Sequence, residues 1–393
     1  MNEVVVVGAA RTAIGDMLGS LKQYGPVELA NIVGQEVLNR SGVKPEDVNE
    51  VALGVLYRQG FKGNPARQVQ IALGMPVEGF AYTIDQQCAS GMKAFELASQ
   101  SIMLGRSDCA MVVGTESMTN APYVLQGARG GWRMGNGPEP IDSMLSDGLV
   151  CAIMGYHMGI TAENLAEHYN ITREEQDELA VMSNLRAIEA QKKGIPQQEI
   201  VPVTVKVKKK EVVFDTDEHP RADISMESLA KLRPAFIPDG TVTAGNASGV
   251  NDGAAALILM SADKAKELGI KPMAKLLTTA NAGVPPKYMG IGPVPAIRKA
   301  LGYADLSLDD IGYFEINEAF AAQFLACNRE LKLSMDKVNH NGSGIGLGHP
   351  VGCTGARIIV SLIYEMQRLG TQYGVASLCV GGGPAMATVL ELA

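Results

Sequence analysis

The chain carries two copies of one plan. Val37–Gly54, VLNRSGVKPEDVNEVALG, lies without a gap over Ala300–Asn317, ALGYADLSLDDIGYFEIN, so that Leu38 matches Leu301, Asp47 matches Asp310 and Val48 matches Ile311. One further step of offset places Gly91 over Gly355 and Lys93 over Arg357. Each opens a helical pattern that runs into an apolar strand ending in glycine, AMVVG in the first copy and SLCVG in the second. Identity is low, but the elements keep their order. Val4–Val7 is a continuous apolar run, the mark of a strand buried on both faces. Val27–Leu38 has apolar residues at helical spacing, Val51–Val55 is strand-like, Gly91–Leu104 helical, and Cys109–Val113 a buried strand ending at Gly114. Strands alternating with helices predict an α/β protein: two duplicated βαβαβ halves with mostly parallel sheets in a layered arrangement.

The two copies leave a segment of different character between them. The expected division is 1–119 for the first half, 120–250 for an inserted loop domain and 251–393 for the second half. The insertion holds the single tryptophan, Trp132, in a Gly-rich stretch, a helix expected around 161–193, and a basic run at Lys206, Lys208, Lys209 and Lys210. A run of this kind is usually a solvated face, although an insertion between repeats is a natural place for substrate contacts.

Composition removes several classes of function. A net charge of −8 argues against a nucleic-acid binder. No apolar run reaches the ~18 residues of a membrane span, so no membrane role is expected. The six cysteines, Cys88, Cys109, Cys151, Cys327, Cys353 and Cys379, include no C-x-x-C pair, and no metal site is expected. The first strand starts almost at the N-terminus, which leaves no room for a signal or transit peptide; a cytoplasmic protein with reduced thiols is the expectation.

Three segments carry reactive groups. In Ile84–Ala94, IDQQCASGMKA, Cys88 precedes a small-residue turn and a helix, a placement that favours the thiolate. In Asn339–Arg357, NHNGSGIGLGHPVGCTGAR, glycines let the backbone approach closely and present His349 just before the second-half helix. That is nearly where Cys88 sits before the first-half helix, so a twofold packing of the halves brings thiol and imidazole together as an activated nucleophile. In Ser377–Met386, SLCVGGGPAM, Cys379 ends a buried strand and the glycines after it free backbone N–H groups, as an oxyanion hole requires. Glu315–Phe324, EINEAFAAQF, adds Asn317 and Glu318, again at a strand end where α/β sheets place ligands.

These segments resemble the thiolase family over nearly the whole chain. QQCASGMKA matches its acylated-cysteine motif, Asn317–Ala321 its NEAFA motif, Gly348–Pro350 its GHP motif and Cys379–Gly381 its C-x-G motif, with GNASGVNDGAAA (Gly245–Ala256) and AKLRPAF (Ala230–Phe236) as further family-like segments. The resemblance implies a thiolase fold with a loop domain over coenzyme A. It implies Cys88 as the nucleophile that takes the acetyl group, His349 as its activator, and Cys379 as the acid/base at the α-carbon of a second acetyl-CoA. Asn317 would hold a water that, with His349, forms the oxyanion hole for the enolate; the N–H groups of Cys88 and Gly381 would form the other. YHMG (Tyr156–Gly159) looks like the short-chain members, with His157 and Met158 on the pantetheine. The same comparison gives Ser248 to the pantetheine, Arg221 to the coenzyme A phosphates, and Met289, Ala319 and Phe320 to the pocket wall.

The implied reaction is the reversible Claisen condensation of two acetyl-CoA to acetoacetyl-CoA and coenzyme A, with no cofactor beyond these thioester substrates. A degradative thiolase for longer chains is the alternative. A non-catalytic acyl-CoA- or lipid-binding relative is disfavoured because Cys88, His349 and Cys379 are all present. Ser343, Gly344, Gly346, Pro384, Ala385 and Asp85 depart from the family pattern in loops around the site. The resemblance also implies a homo-oligomer, a tetramer with a dimer as the alternative, and the large apolar residues of 120–160 suit an interface.

Overall fold

In the computed structural model, which describes residues 1–393, β1 (Val4–Thr12) is buried along its whole length. The first half continues with α1 (Pro26–Ser41), β2 (Glu50–Gly54), α2 (Pro65–Ala72), β3 (Phe80–Ile84), α3 (Ser90–Met103) and β4 (Cys109–Ser117). The chain then leaves the sheet and returns as β5 (Asn251–Ser261). The second half runs β6 (Ala274–Gly283), α6 (Pro293–Tyr303), β7 (Tyr313–Ile316), α7 (Ala321–Leu331), α8 (Val351–Leu369), β8 (Tyr373–Cys379) and β9 (Pro384–Leu392). Two helices of the intervening segment, α4 (Met158–Tyr169) and α5 (Arg173–Lys192), stand where one helix over 161–193 was expected. The break has a local cause. Asn170 ends α4 in the left-handed conformation, and Thr172 with Glu175 forms a reciprocal capping box that starts α5.

The strands join in the order β7-β8-β9-β6-β1-β5-β4-β2-β3, with two short strands at the side. Read outward from the middle, the two halves match: β6-β9-β8-β7 against β1-β5-β4-β2. In place of a counterpart to β3, Val338 makes a parallel bridge to Phe314 of β7. The expected parallel pairing holds in the outer part of each half, for β2 with β3 and β4 and for β7 with β8. Toward the middle the pairs are antiparallel, because β8 and β9 form a hairpin and β4 and β5 are its first-half equivalent. In the second half the hairpin turn is Val380–Gly383; in the first half the same turn is replaced by the whole insertion.

That pairing corrects the expected boundary at 250/251. Strand β5 pairs with β4 and β1 and completes the first half's sheet, so the second half starts only after it. It also explains how the insertion reaches the site: it leaves and re-enters at the sheet end where the glycine turn of the second half lies.

Five layers result. Helices α3 and α8 lie between the two halves in a core that takes residues from both. Helices α1 and α2 cover the outer face of the first half, and α6 and α7 that of the second. The central helices approach very closely at the two duplicated glycines. A Cβ on Gly91 would lie 2.7 Å from the backbone nitrogen of Ala356, and one on Gly355 would lie 2.5 Å from that of Met92. No side chain fits at either point, and the contact brings the helix N-termini, with Cys88 and His349 ahead of them, to one place. The basic run, by contrast, lies at the exposed turn of a hairpin pairing Val203–Val207 with Lys210–Phe214. Its lysines do not line the groove described below.

Candidate active site

The turn before α3 is held in a strained form. Gln87 has φ +48, a conformation costing about 1–2 kcal/mol for a residue with a side chain. Short side chains lock it: Asp85 Oδ1 accepts from the Gln87 N–H at 2.9 Å, Ser90 Oγ donates to the Gln87 carbonyl at 2.6 Å, and the Gln86 N–H donates to Ser90 Oγ at 2.9 Å. Cys88 is thereby presented to a small cavity of about 60 Å³. The cavity is walled by His157, Met158, Ser248, Met289, Ala319 and Phe320, and it also reaches His349, Cys379 and Gly381. It opens through Leu149, Ser248 and Phe320 into a groove of about 470 Å³ that carries Arg221 and His219. Of the site residues that the family resemblance implies, Arg221 and Asn317 stand apart from the small cavity. Arg221 lies out in the groove, and Asn317 lies beside His349 Nε2.

The imidazole of His349 has a defined tautomer. Thr354 Oγ1 donates its single hydrogen to the Pro350 carbonyl at 2.9 Å and lies 2.7 Å from His349 Nδ1, so it accepts from Nδ1–H. Nε2 is left unprotonated and accepts a long bond, 3.5 Å, from Asn317 Nδ2. Asn317 is fully buried, and its Oδ1 takes no protein donor. Glu318 beside it accepts from Ser183 Oγ at 2.6 Å and from Asn339 Nδ2 at 3.0 Å, which fixes the strand end.

The electrostatics differ from the sequence expectation. Burial pushes the Cys88 thiol up to about 11, with the N–H groups of Gly381 and Cys88 pulling the other way. Helix α3 starts two residues after Cys88, and burial outweighs its N-terminus. Burial, and then the Arg357 guanidinium, push His349 down to about 3. Burial also raises the Cys379 thiol well above its ordinary value. At neutral pH the three groups therefore rest as thiol, imidazole and thiol, not as a preformed thiolate–imidazolium pair. His157 is likewise held neutral by burial. Its Nδ1 accepts from the Gly159 N–H at 3.0 Å, which leaves Nε2–H free to donate, and its ring stacks on Phe236 at 4.6 Å.

Two family models match the chain: "Thiolase, N-terminal domain" over residues 4–263 and "Thiolase, C-terminal domain" over residues 270–392. The chain belongs to the thiolase family. This thiolase is 51% identical over 392 residues to the acetyl-CoA acetyltransferase of Syntrophomonas wolfei, with 99% of each chain covered. It superposes on the crystal structure of the Bacillus anthracis acetyl-CoA acetyltransferase with a TM-score of 0.97 at 52% identity, covering 100% of this chain and 99% of that one. It superposes equally well, at 40% identity and the same coverage, on human mitochondrial 3-ketoacyl-CoA thiolase.

Ser343, Gly344 and Gly346, which depart from the family pattern, have local reasons in this thiolase. Ser343 Oγ donates to the Ile316 carbonyl at 3.1 Å and so ties the glycine loop to the end of β7. A Cβ at Gly344 would lie 2.5 Å from the Glu318 carbonyl oxygen, and one at Gly346 equally close to that of Ser183, so alanine does not fit at either. A Cβ at Gly381 would lie 2.2 Å from Gln87 Oε1 and 2.7 Å from Met158 Cε, so a larger residue there would displace both side-chain ends at the cavity. Sequence reasoning missed Glu116. Its buried carboxylate accepts from the N–H groups of Leu56, Tyr57 and Gly352 at 3.1, 3.0 and 2.8 Å and joins the loop after β2 to the start of α8. Burial pushes it up to about 7 against those three donors. Thr354 was also missed, although its place five residues after His349, one turn into a helix, was a usable signal.

The resting neutral pair gives a pH prediction. His349 stays unprotonated far below its ordinary value and Cys88 keeps its proton far above its own, so neither titrates between pH 5 and 9. The rate of Cys88 modification by acetyl-CoA or iodoacetamide should be flat across that window. His349→Ala should convert it to a rate rising about tenfold per pH unit, as expected when only the free thiolate reacts. An acid limb near 6.5 in the unaltered protein would show that burial does not set the His349 proton affinity.

Proposed function

We propose that this thiolase is an acetyl-CoA acetyltransferase that condenses two acetyl-CoA to acetoacetyl-CoA and coenzyme A, reversibly. The observation that carries the reading is the convergence of Cys88, His349, Cys379 and the Gly381 N–H on one small apolar cavity. The names of relatives about half identical over their full lengths agree with it.

The proton ledger closes on these side chains alone. His349 Nε2 takes the Cys88 proton as Sγ attacks the thioester carbon, and the N–H groups of Cys88 and Gly381 receive the oxyanion. The coenzyme A thiolate, a good leaving group in itself, departs and takes the Cys379 proton. The Cys379 thiolate then removes the α-proton of a second acetyl-CoA. The enolate oxygen forms against Nε2–H of the His349 imidazolium and a water held by Asn317. The enolate carbon attacks acetyl-Cys88, and the departing Cys88 thiolate recovers its proton from His349. Each group ends as it began, so the scheme needs no further cofactor. In the groove, Arg221 faces the phosphates of coenzyme A, while Ser248 and the Nε2–H of His157 face the pantetheine.

The small, largely apolar cavity, with Met158 and Met289 in its wall, supports the short-chain reading. Thiolysis of a chain-length series tests it. kcat/KM for the C4 substrate should exceed that for C8 by about 100-fold or more, as several methylenes without room each cost about 1 kcal/mol or more. Equal values for C4 and C8 would assign the alternative, longer-chain activity.

Assembly is part of the proposal. Tyr123, Leu125, Trp132 and Met134 are all exposed on the single chain, and an apolar set of this kind in a loop excursion suits contact with further copies. We infer a homotetramer, acting in the reducing cytoplasm that six free cysteines suit. No helix is long and apolar enough to cross a membrane. Light scattering at micromolar concentration should give four times the chain mass, and Trp132→Ala should weaken assembly before it alters Cys88 acetylation. A mass of one chain defeats the proposal, and twice that mass leaves the dimer.

A further inference from the structure

His349 is held at two places, and only one of them is its ring. Thr354 sets the imidazole, but the main chain arrives through the glycine run of 342–348, and Gly348 has φ +100 and ψ 164, a region open to glycine alone. The N–H of His349 has no backbone acceptor. Its bond is to a side chain from the other half of the molecule: it donates to Asn251 Oδ1 at 2.9 Å.

Asn251 is the first residue of β5 and is fully buried. Its other end is equally committed. Nδ2 donates to the Gly15 carbonyl at 3.2 Å and to Asp16 Oδ1 at 3.0 Å. The orientation of the carboxamide is therefore unique: turning it over would set N–H against N–H at His349 and oxygen against two oxygens at Gly15 and Asp16. Asp16 Oδ1 in turn lies 2.5 Å from Nδ1 of His219, which lines the groove. Packing matches the hydrogen bonds. A Cβ on Gly348 would lie 2.6 Å from Asn251 Cγ, and one on Gly249 would lie 2.7 Å from Asn251 Oδ1, so the backbone closes on the carboxamide from both sides.

We propose that Asn251 is a positioning residue for the reaction: it fixes the main chain of His349 so that Nε2 meets the Cys88 proton, and Asp16 with His219 holds its carboxamide in place. The proposal rests on the reading of His349 as the base for Cys88. A buried Asn with both ends bonded is a rigid strut, and without it a histidine that follows Gly348 keeps its ring contact to Thr354 but loses the bond that fixes its main-chain N–H. The same chain of bonds ties a residue of the groove wall to the reacting imidazole, so the groove and the base are built as one unit.

The test compares Asn251→Ala with the unaltered protein by two readouts. In the steady state, kcat should fall by about 10- to 100-fold, the scale of a base displaced by up to an ångström, while KM for acetyl-CoA changes by less than about threefold. Alkylation of Cys88 by iodoacetamide, followed by peptide mass mapping, should slow by at least about tenfold. The second readout has a sign that a general loosening cannot imitate, because opening the site relieves the burial of the thiol and speeds alkylation. Unchanged or faster alkylation overturns the proposal, as does a rise in KM that accounts for the whole loss. Alkylation needs no acetyl-CoA, so it decides the positioning role even where the assigned activity itself fails. Should Asn251→Ala not fold, Asp16→Ala, at the partly exposed end of the chain of bonds, should give a smaller slowing in the same direction. An unchanged alkylation rate in that variant also overturns the proposal.

Discussion

Cys88→Ser should abolish covalent acetylation and reduce both directions of the reaction by about 10⁴-fold or more, the scale seen when a nucleophile acting in concert with its base is removed. The serine oxygen occupies nearly the same space, so the strained turn at Gln87 and its bonds to Asp85 and Ser90 are retained. What changes is the proton. A buried hydroxyl holds it far more tightly than a thiol already pushed up to about 11, and an imidazole pushed down to about 3 is a weak acceptor for it. The measurement is intact-protein mass after incubation with acetyl-CoA, followed by peptide mapping. The unaltered protein should gain one acetyl group, on Cys88, and the variant none. Label on Cys353, which stands four residues after His349 and is fully buried, or on any other cysteine, would refute the scheme.

The sequence made the meeting of Cys88 and His349 legible through its internal repeat. The low-identity repeat put both residues ahead of equivalent helices, and the glycines Gly91 and Gly355 are the points at which those helices touch. Strand ends were legible for a related reason: Cys379 ends a short apolar run before glycines, and the repeat places Asn317 over Gly54 at a strand end. The errors have physical causes as well. The expected single helix over 161–193 ran across a junction where Thr172 and Glu175 state a new helix start. Strand β5 was assigned to the wrong half because its hairpin partner β4 lies before the insertion, and pairing across so long an excursion leaves no local trace.

The supporting residues were illegible for a different reason. Glu116 acts through three backbone N–H groups from the loop after β2 and the start of α8, and Asn251 through the N–H of His349, the carbonyl of Gly15 and the carboxylate of Asp16. Bonds made mostly to main chain select no residue type, so the sequence does not show which groups these side chains hold, even for Asn251 within the family-like segment Gly245–Ala256. The proton affinity of Cys88 was misjudged for a third reason: a helix N-terminus can be read from sequence, but the depth of burial that outweighs it cannot.

Cys379→Ser should separate the two halves of the reaction. Acetyl transfer from acetyl-CoA to Cys88 should survive within about tenfold, because the coenzyme A thiolate leaves without needing a proton in the transition state. Condensation and thiolysis should fall by about 10³-fold, within the range by which a positioned acid/base contributes. The reason is positional. Cys379 ends β8 within the same cavity as Cys88, its thiol is fully buried, and burial keeps it protonated at rest. It thus starts as the acid that thiolysis needs and becomes the base that condensation needs only after acetyl transfer has removed its proton. A serine there neither donates to a departing enolate nor reaches the anionic form. Two measurements on one preparation suffice: the burst of acetyl-Cys88 by mass, and the exchange of acetyl-CoA methyl protons for deuterium. Retained burst with lost exchange is the expected pair of results. A burst that falls as far as condensation would move Cys379 into the acetyl-transfer step and leave the α-proton without an assigned base.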